Sequence, residues 1–264
     1  MLKKIIHIAL WIIALSVIVV GLSFANINQE KTVLTKPIIK IDYASENRFI
    51  DEADVLKEVI QPTNDSLKLL NSLNVTQIEE RLKNHFAIKD AQAYKTIDGK
   101  LEVSVLQNRP IIRVINKNGQ SFYMDEDGFL MATSSKYTAR LLVVSGEINS
   151  TYNEFNSQNF NTMDDSIKSI TLLDEIYELA KYIDGSEFWK AQIEQIYVNK
   201  ELELEVIPKV GNHIIVFGKP NSIEAKFKKL FVFYEKGLSK TGWNEYSKVD
   251  LSYKNQIVCT KIYN

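Results

Sequence analysis

The sequence predicts an α+β protein: a single N-terminal transmembrane helix, a βααββ domain, and a larger mixed α/β domain built on an antiparallel-rich β sheet. Three observations lead to this fold class. Residues 5–24 are apolar and uncharged, residues 37–112 carry a strand-helix-helix-strand-strand pattern, and residues 113–264 alternate strands with two amphipathic helices. Since most successive strands in the last part are joined by short turns, they should pair as antiparallel neighbours.

Residues 5–24 are expected to span a membrane. At about 1.5 Å per residue, a helix of this length covers about 30 Å, which is the thickness of the hydrocarbon core. Lys3 and Lys4 precede the run, whereas residues 26–30 carry no positive charge. The positive-inside rule therefore places residues 1–4 in the cytoplasm as a short tail and the bulk of the chain outside it.

A cleaved signal peptide is the alternative for this segment, because Ser23-Phe24-Ala25 resembles a small-x-small cleavage pattern. The apolar run is longer than an ordinary signal peptide requires, and Phe24 stands where such a segment becomes polar. An uncleaved anchor is therefore favoured. Residues 25–36 are expected to form a polar juxtamembrane linker that ends before Pro37.

The first folded unit, residues 37–112, is expected to hold a short three-stranded sheet and two helices. Thr76 and Glu79 have the spacing of a capping box at the start of the second helix. Asp98-Gly99 is a two-residue hairpin signal between the last two strands. The predicted elements are strand 38–43, a helix from Asp51 to about Ile60, a helix capped by Thr76, strand 88–96 and strand 101–107.

The second unit, residues 113–264, is expected to be built around strands whose faces alternate. Leu204 and Val206 alternate with Glu203 and Glu205, as expected for a half-buried strand. The predicted elements are strands 113–116, 121–123, 129–131 and 141–145, a polar loop over 151–165, a helix from Ile167 that ends before Gly185, strands 193–198, 202–207 and 213–217, a helix capped by Asn221 and closed by Gly237, and strands 248–253 and 256–262.

Composition excludes several function classes. The formal net charge is -1 and the pI is about 6.4, so nothing in the overall charge favours binding to nucleic acid. Cys259 is the single cysteine, so no intramolecular disulfide can form, and it is expected to behave as a small hydrophobic residue.

No motif for catalysis, cofactor binding or metal binding is found in the sequence. The three histidines, His7, His85 and His213, are far apart along the chain, and no H-E-x-x-H pattern or Gly-rich phosphate loop occurs. Asp125 and Asp127 lack the further ligands of a calcium loop and are expected to form a plain hairpin turn. We therefore expect a protein that is not an enzyme and uses neither cofactor nor metal.

Several segments, taken in their order along the chain, resemble those of a known protein family. The first unit ends in a strand followed by Arg109-Pro110-Ile111, and the second contains the run 202–208, then Gly242-Trp243-Asn244 and the run 249–253. Together with the N-terminal anchor, these segments resemble the FtsQ/DivIB family of bacterial cell-division proteins. The first unit resembles a POTRA module, and the second resembles the β domain of that family.

The resemblance implies a non-enzymatic divisome scaffold. Such a protein would be a single-pass protein of the inner membrane at the division septum, with its bulk in the periplasm. It would bind FtsB- and FtsL-type proteins, would dock other division proteins through its POTRA-like domain, and would help regulate septal peptidoglycan synthesis. The alternative is another POTRA-containing envelope assembly or secretion factor, although the long C-terminal barrel pattern of those proteins is missing here.

The resemblance also implies a binding segment near the C-terminus. A terminal strand is a natural sheet edge, and an edge offers unpaired backbone groups to a partner strand. The alternative is that this strand is interior and its apolar side chains belong to the core. The candidate partner-binding residues are Tyr253, Lys254, Asn255, Gln256, Ile257, Val258, Cys259, Thr260 and Lys261.

Overall fold

A computed structural model describes residues 7, 10–20, 36–60, 73–96, 98–156, 158–162 and 171–262 of the chain. The chain divides into two compact units, residues 1–107 and residues 108–264. The boundary expected after residue 112 lies inside strand β4 (Pro110–Ile115), which belongs to the second unit. Proline can begin a strand, because the first residue need not donate to the ladder.

Residues 10–20 are helical, within the segment expected to span a membrane. Except for His7, the other residues of the predicted span 5–24 lie outside the described residues, as does most of the predicted linker 25–36. No helix in the described part of the chain is both long enough and apolar enough to cross a membrane.

The first unit has the predicted strand-helix-helix-strand-strand order. Its three strands form a sheet in the order β1-β3-β2, in which β1 is parallel to β3 and β2 is antiparallel to it. Each helix buries two apolar side chains, Val55 and Val59 in the first and Ile78 and Leu82 in the second. The elements are β1 (Ile38–Asp42), α1 (Glu52–Ile60), α2 (Val75–Lys83), β2 (Ile88–Lys95) and β3 (Leu101–Gln107).

The capping box predicted at Thr76 is wrong by two residues. Asn74 is the N-cap of α2, and its side-chain oxygen accepts the backbone N–H of Gln77 at 3.2 Å. Asn is a stronger N-cap than Thr, so the helix begins earlier and Thr76 lies within its first turn. The carboxylate of Glu79 instead accepts the N–H of Ala93 at 2.7 Å and thereby ties α2 to β2.

Gln107, at the end of β3, is fully buried and fixes the loop before α1. Its side-chain oxygen accepts the N–H of Phe49 at 2.8 Å and that of Ile50 at 3.3 Å. Its side-chain amide donates to the carbonyl of Asn47 at 3.0 Å. A buried polar side chain is stable when its groups are hydrogen-bonded, so this residue organises a loop rather than a ligand site.

The second unit is built on a nine-stranded mixed sheet in the order β12-β11-β10-β9-β8-β7-β4-β5-β6. Three strand pairs are parallel, β4 with β7, β7 with β8 and β10 with β11, and the other five are antiparallel, as expected for an antiparallel-rich sheet. The strands after β4 are β5 (Ser121–Asp125), β6 (Leu130–Met131), β7 (Leu142–Gly146), β8 (Ile193–Val198), β9 (Leu204–Pro208), β10 (Ile214–Gly218), β11 (Tyr246–Asp250) and β12 (Val258–Lys261).

The helices of the second unit contribute to a single apolar core with the strands. Ile176, Ile183, Trp189, Phe227 and Leu230 are buried there with side chains from the central strands. Within the described residues, the helices are α3 (Tyr152–Phe155), α4 (Leu173–Asp184), α5 (Glu187–Gln192) and α6 (Ile223–Phe233), followed by a π-helical turn (Tyr234–Leu238) and the short α7 (Ser239–Thr241).

The chain before α4 differs in part from its prediction. The segment predicted as a loop, residues 151–165, contains the helical turn α3, because Glu154 accepts the N–H of Thr151 and completes a capping box there. The predicted helix start at Ile167 lies outside the described residues, and the helix is described from Leu173.

The last long helix differs from its prediction at both ends. Its N-cap is Ser222, not Asn221, and the helical path continues past Gly237 to Gly242. A Cβ at Gly237 would overlap the ring of Phe233, so this glycine permits close packing instead of ending the helix. The path ends at Gly242, whose φ of 105° and ψ of 150° form a conformation that glycine adopts readily because it has no Cβ.

Two turns of the second unit are closed by side chains. In the turn before Phe129, the Asp125 carboxylate accepts the N–H groups of Asp127 and Phe129, at 3.0 and 2.8 Å, which confirms the predicted hairpin. Leu202 was expected to begin a strand, but it lies in a turn with a φ of 59°. Asn199 closes this turn by accepting two backbone N–H groups, so β9 starts only at Leu204.

Candidate protein-binding edge

The candidate residues 253–261 form two different structures. Val258–Lys261 is strand β12, and residues 253–257 connect it to the end of β11. β12 pairs with β11 in antiparallel register, with Val249 opposite Cys259. Because β12 is the last strand in the sheet order, its other side is an open edge in the part of the chain that the structure describes.

The hydrogen bonds of β11 show which of its residues face β12. Leu251, directly after β11, donates its N–H to the carbonyl of Val216 in β10 at 2.9 Å. Alternate residues of a strand direct their backbone groups to opposite sides, so Lys248 and Asp250 direct theirs toward β12.

The backbone groups of β12 divide in the same way. Val258 and Thr260 lie opposite Asp250 and Lys248, so their N–H and C=O groups are used in the ladder. Cys259 and Lys261 alternate with them and therefore direct their N–H and C=O groups to the open side. An added strand would pair with these two residues.

The side chains of the segment divide between core and surface. Tyr253 and Val258 are 49% and 40% exposed, whereas Ile257 and Cys259 are partly buried and pack against the core. Burial raises the pKa of the Cys259 thiol, which favours a packing role over a reactive thiolate. The remaining candidates, Lys254, Asn255, Gln256, Thr260 and Lys261, are exposed.

A groove of about 650 Å³, here called the lysine groove, lies beside this segment. Lys229 helps to shape it, because its ammonium group donates to the carbonyls of Leu251 and Tyr253 and holds the chain after β11. The sequence did not predict the groove, because its lining combines residues of α6 with residues 255–257. The groove is lined by Ala225, Lys228, Lys229, Val232, Phe233, Lys236, Gly237, Asn255, Gln256 and Ile257.

The surface formed by the edge and the groove carries both polar and apolar groups. It offers free backbone donors and acceptors, partly exposed apolar side chains and lysine ammonium groups. Among the described residues, no cluster of histidine, cysteine and acidic side chains could hold a metal ion.

A family model, FtsQ/DivIB C-terminal related, matches residues 109–260, which is more than half of the chain. The chain belongs to the FtsQ/DivIB family. A second model, for a POTRA-like domain, matches residues 33–106, and the first unit has the strand and helix order expected for it. A search of curated proteins found no match to the chain.

Membership in the FtsQ/DivIB family assigns the chain to a family of non-enzymatic cell-division scaffolds. The FtsQ/DivIB match covers nearly all of the second unit, from Arg109 to Thr260, so it includes β11 and most of β12. The open edge and the lysine groove therefore belong to the FtsQ/DivIB-related domain and not to a separate appendage.

Proposed function

We propose that this chain is a membrane-anchored divisome scaffold that captures a strand of an FtsB-type partner at β12 and, through it, an FtsL-type protein. The observation that carries the proposal is the open edge at Cys259 and Lys261. Strand addition at such an edge uses main-chain hydrogen bonds for affinity and neighbouring side-chain sites for specificity. Through this contact the scaffold would help to regulate septal peptidoglycan synthesis.

The anchoring part of the proposal rests on residues 5–24. The segment is uncharged over a length that fits a bilayer, and Lys3 and Lys4 precede it. We place the protein in the cytoplasmic membrane at the division septum, with both folded units in the periplasm. Its POTRA-like unit would contribute a further docking site for division proteins.

The lysine groove supports a protein partner beside the edge. Val232 is exposed and lines the groove, and so do Lys228, Lys229 and Lys236. An occupant with apolar side chains and carboxylates would match both features, because opposite charges across an interface favour correct docking. The strand and the groove together would hold one continuous partner segment.

The test is a titration of the full chain in detergent with the periplasmic segment of an FtsB-type protein from the same organism. Cys259→Pro removes an N–H that faces the open side, while the bonds of β12 to β11 remain. We expect binding to weaken about tenfold or more, because one hydrogen bond is lost and the proline ring occupies space at the edge. Cys259→Val keeps the N–H and should bind like the parent.

Each outcome has a distinct meaning. Equal binding by the proline and valine variants, both folded, would move the interface away from β12 and leave the scaffold assignment intact. Failure of the parent to bind, even with an FtsL-type segment added, would contradict the proposed partner and favour another POTRA-type envelope function.

A further inference from the structure

A second depression in the FtsQ/DivIB-related unit, here called the aromatic pocket, is built from rings. It has a volume of about 450 Å³. Four aromatic residues line it, Phe188, Phe231, Tyr234 and Trp243, together with Gln192, Val210 and Glu235.

The rings are held against one another at edge-to-face angles. The Phe188 and Phe231 rings are 5.2 Å apart at 72°, and those of Tyr234 and Trp243 are 4.9 Å apart at 64°. Phe188 and Phe231 are nevertheless 40% and 44% exposed. Exposed rings that are already fixed by packing offer a preorganised surface to a ligand.

The π-helical turn separates this pocket from the lysine groove. Tyr234 and Glu235 line the aromatic pocket, whereas Phe233, Lys236 and Gly237 line the groove. A π-helical turn is rare and occurs frequently at functional sites. Here it places two depressions of opposite charge on either side of one helix.

The charge of the aromatic pocket points to a cation. Glu235 is the one charged side chain among the described residues that line it, and its carboxylate has no ion-pair partner in the described part of the chain. Ring faces attract cations, with Trp the strongest and Arg the more frequent partner. A carboxylate and an amide oxygen are suitable acceptors for guanidinium N–H groups.

We propose that the aromatic pocket binds an arginine side chain presented by a partner protein. The planar guanidinium stacks on the rings while its N–H groups reach Glu235 and Gln192. Lysine fits less well, because its ammonium group is strongly hydrated and cannot stack. This site is independent of strand capture at β12, so either proposal can fail without the other.

The test uses the full chain labelled with 5-fluorotryptophan and followed by fluorine NMR. The chain has three tryptophans, Trp11, Trp189 and Trp243, whose signals are assigned with Trp→Phe variants. The probes are the blocked tripeptides Gly-Arg-Gly and Gly-citrulline-Gly, since citrulline has the shape of arginine without its charge. We expect the arginine peptide to shift the Trp243 signal saturably, with a dissociation constant on the order of millimolar.

Two glutamate variants supply the matched control. Glu235→Gln should weaken binding of the arginine peptide about threefold, as expected for the loss of one exposed ion pair. Glu245→Gln makes the same charge change at an exposed residue that does not line the pocket, and it should leave binding unchanged.

Three results would overturn the proposal. One is the absence of a saturable shift with the arginine peptide, and another is equal binding of the citrulline peptide, which would indicate an apolar occupant. The third is unchanged arginine binding in Glu235→Gln. A Trp189 signal that matches that of the parent establishes that Glu235→Gln and Glu245→Gln are folded, since Trp189 is buried in the second unit.

Discussion

Arg109 Nη2 lies 2.8 Å from Asp184 Oδ2, so the residue just before β4 is joined to the last residue of α4. The Nε of the same guanidinium lies 2.6 Å from the Glu126 carboxylate in the β5–β6 turn. Burial by itself raises the pKa of Asp184, but hydrogen bonds from Arg109 and Lys190 outweigh it, and the pKa is lowered overall. The arginine of the Arg-Pro-Ile motif is thus a structural link within the second unit.

We predict that Arg109→Met lowers the free energy of unfolding of the second unit by about 2 kcal/mol. The variant removes hydrogen bonds between charged groups. It also leaves the negative charge of the largely buried Asp184 paired with Lys190 alone among the described residues. Urea denaturation measures the change, followed by tryptophan fluorescence for the second unit and by circular dichroism for the first, since residues 36–107 contain no tryptophan. Lys40→Met removes the exposed pair of Lys40 with Glu102 and should change stability little. Similar losses in both variants would contradict the structural role of Arg109.

A second prediction concerns the pH dependence of stability. His213 is buried, and burial lowers its pKa below the ordinary value of 6.5 despite the nearby Trp243 carbonyl. The unfolded chain then binds a proton more readily than the folded one just below pH 6.5. The contribution of His213 to stability is therefore full above that pH and declines as the pH falls toward the folded-state pKa.

The measurement compares urea midpoints at about pH 7.5 and about pH 5 for the parent and His213→Gln. We expect the variant to lose less stability than the parent between the two pH values. If His213→Gln and the parent lose the same stability between the two pH values, the acid sensitivity belongs to other groups.

A third prediction tests the buried amide of Gln107. Gln107→Leu removes its three hydrogen bonds to the backbone of residues 47–50, and we expect the first unit to lose about 3 kcal/mol. Exchange of the Phe49 and Ile50 amides should become faster in the same variant. Gln92→Leu, at an exposed position on β2, is the control. Unchanged amide protection would show that the loop is held by other contacts.

A fourth prediction compares two glycines with positive φ. Gly146 has a φ of 115°, and a Cβ there would overlap the backbone of Val198. Gly119 has a φ of 80°, with open space around the Cβ position. Gly146→Ala should cost about 4 kcal/mol or prevent folding, whereas Gly119→Ala should cost about 1 kcal/mol from backbone strain alone. Equal losses, measured by urea denaturation, would contradict the close approach at Gly146.

Local signals predicted most of the elements. Alternation of apolar and acidic residues located β9 apart from its start, and Asp98-Gly99 located the turn between β2 and β3, where the N–H of Gly99 reaches the carbonyl of Thr96 at 3.1 Å. Element ends were less certain, because two candidate caps often stand close together, as Asn74 and Thr76 do. Here the capping-box spacing of Thr76 and Glu79 pointed to the wrong residue, and the stronger cap, Asn74, begins the helix.

The candidate edge was located only in part. The sequence indicated a terminal strand, but the position of β12 at the sheet edge depends on the pairing of β10 with β11, which are distant in sequence. The lysine groove also requires residues 255–257 to lie against α6. Such long-range contacts leave no periodic signal in a single sequence, so neither the groove nor the aromatic pocket could be read from it.

The shortness of β12 limits how much affinity strand pairing alone can supply. Cys259 and Lys261 offer two N–H and two C=O groups, and four hydrogen bonds at a net value of about 1 kcal/mol each give about 4 kcal/mol. The loss of translational and rotational freedom on association costs about 4 kcal/mol or more. Backbone pairing at this edge would thus fix the register of a partner, while its residence time would depend on side chains seated in the lysine groove.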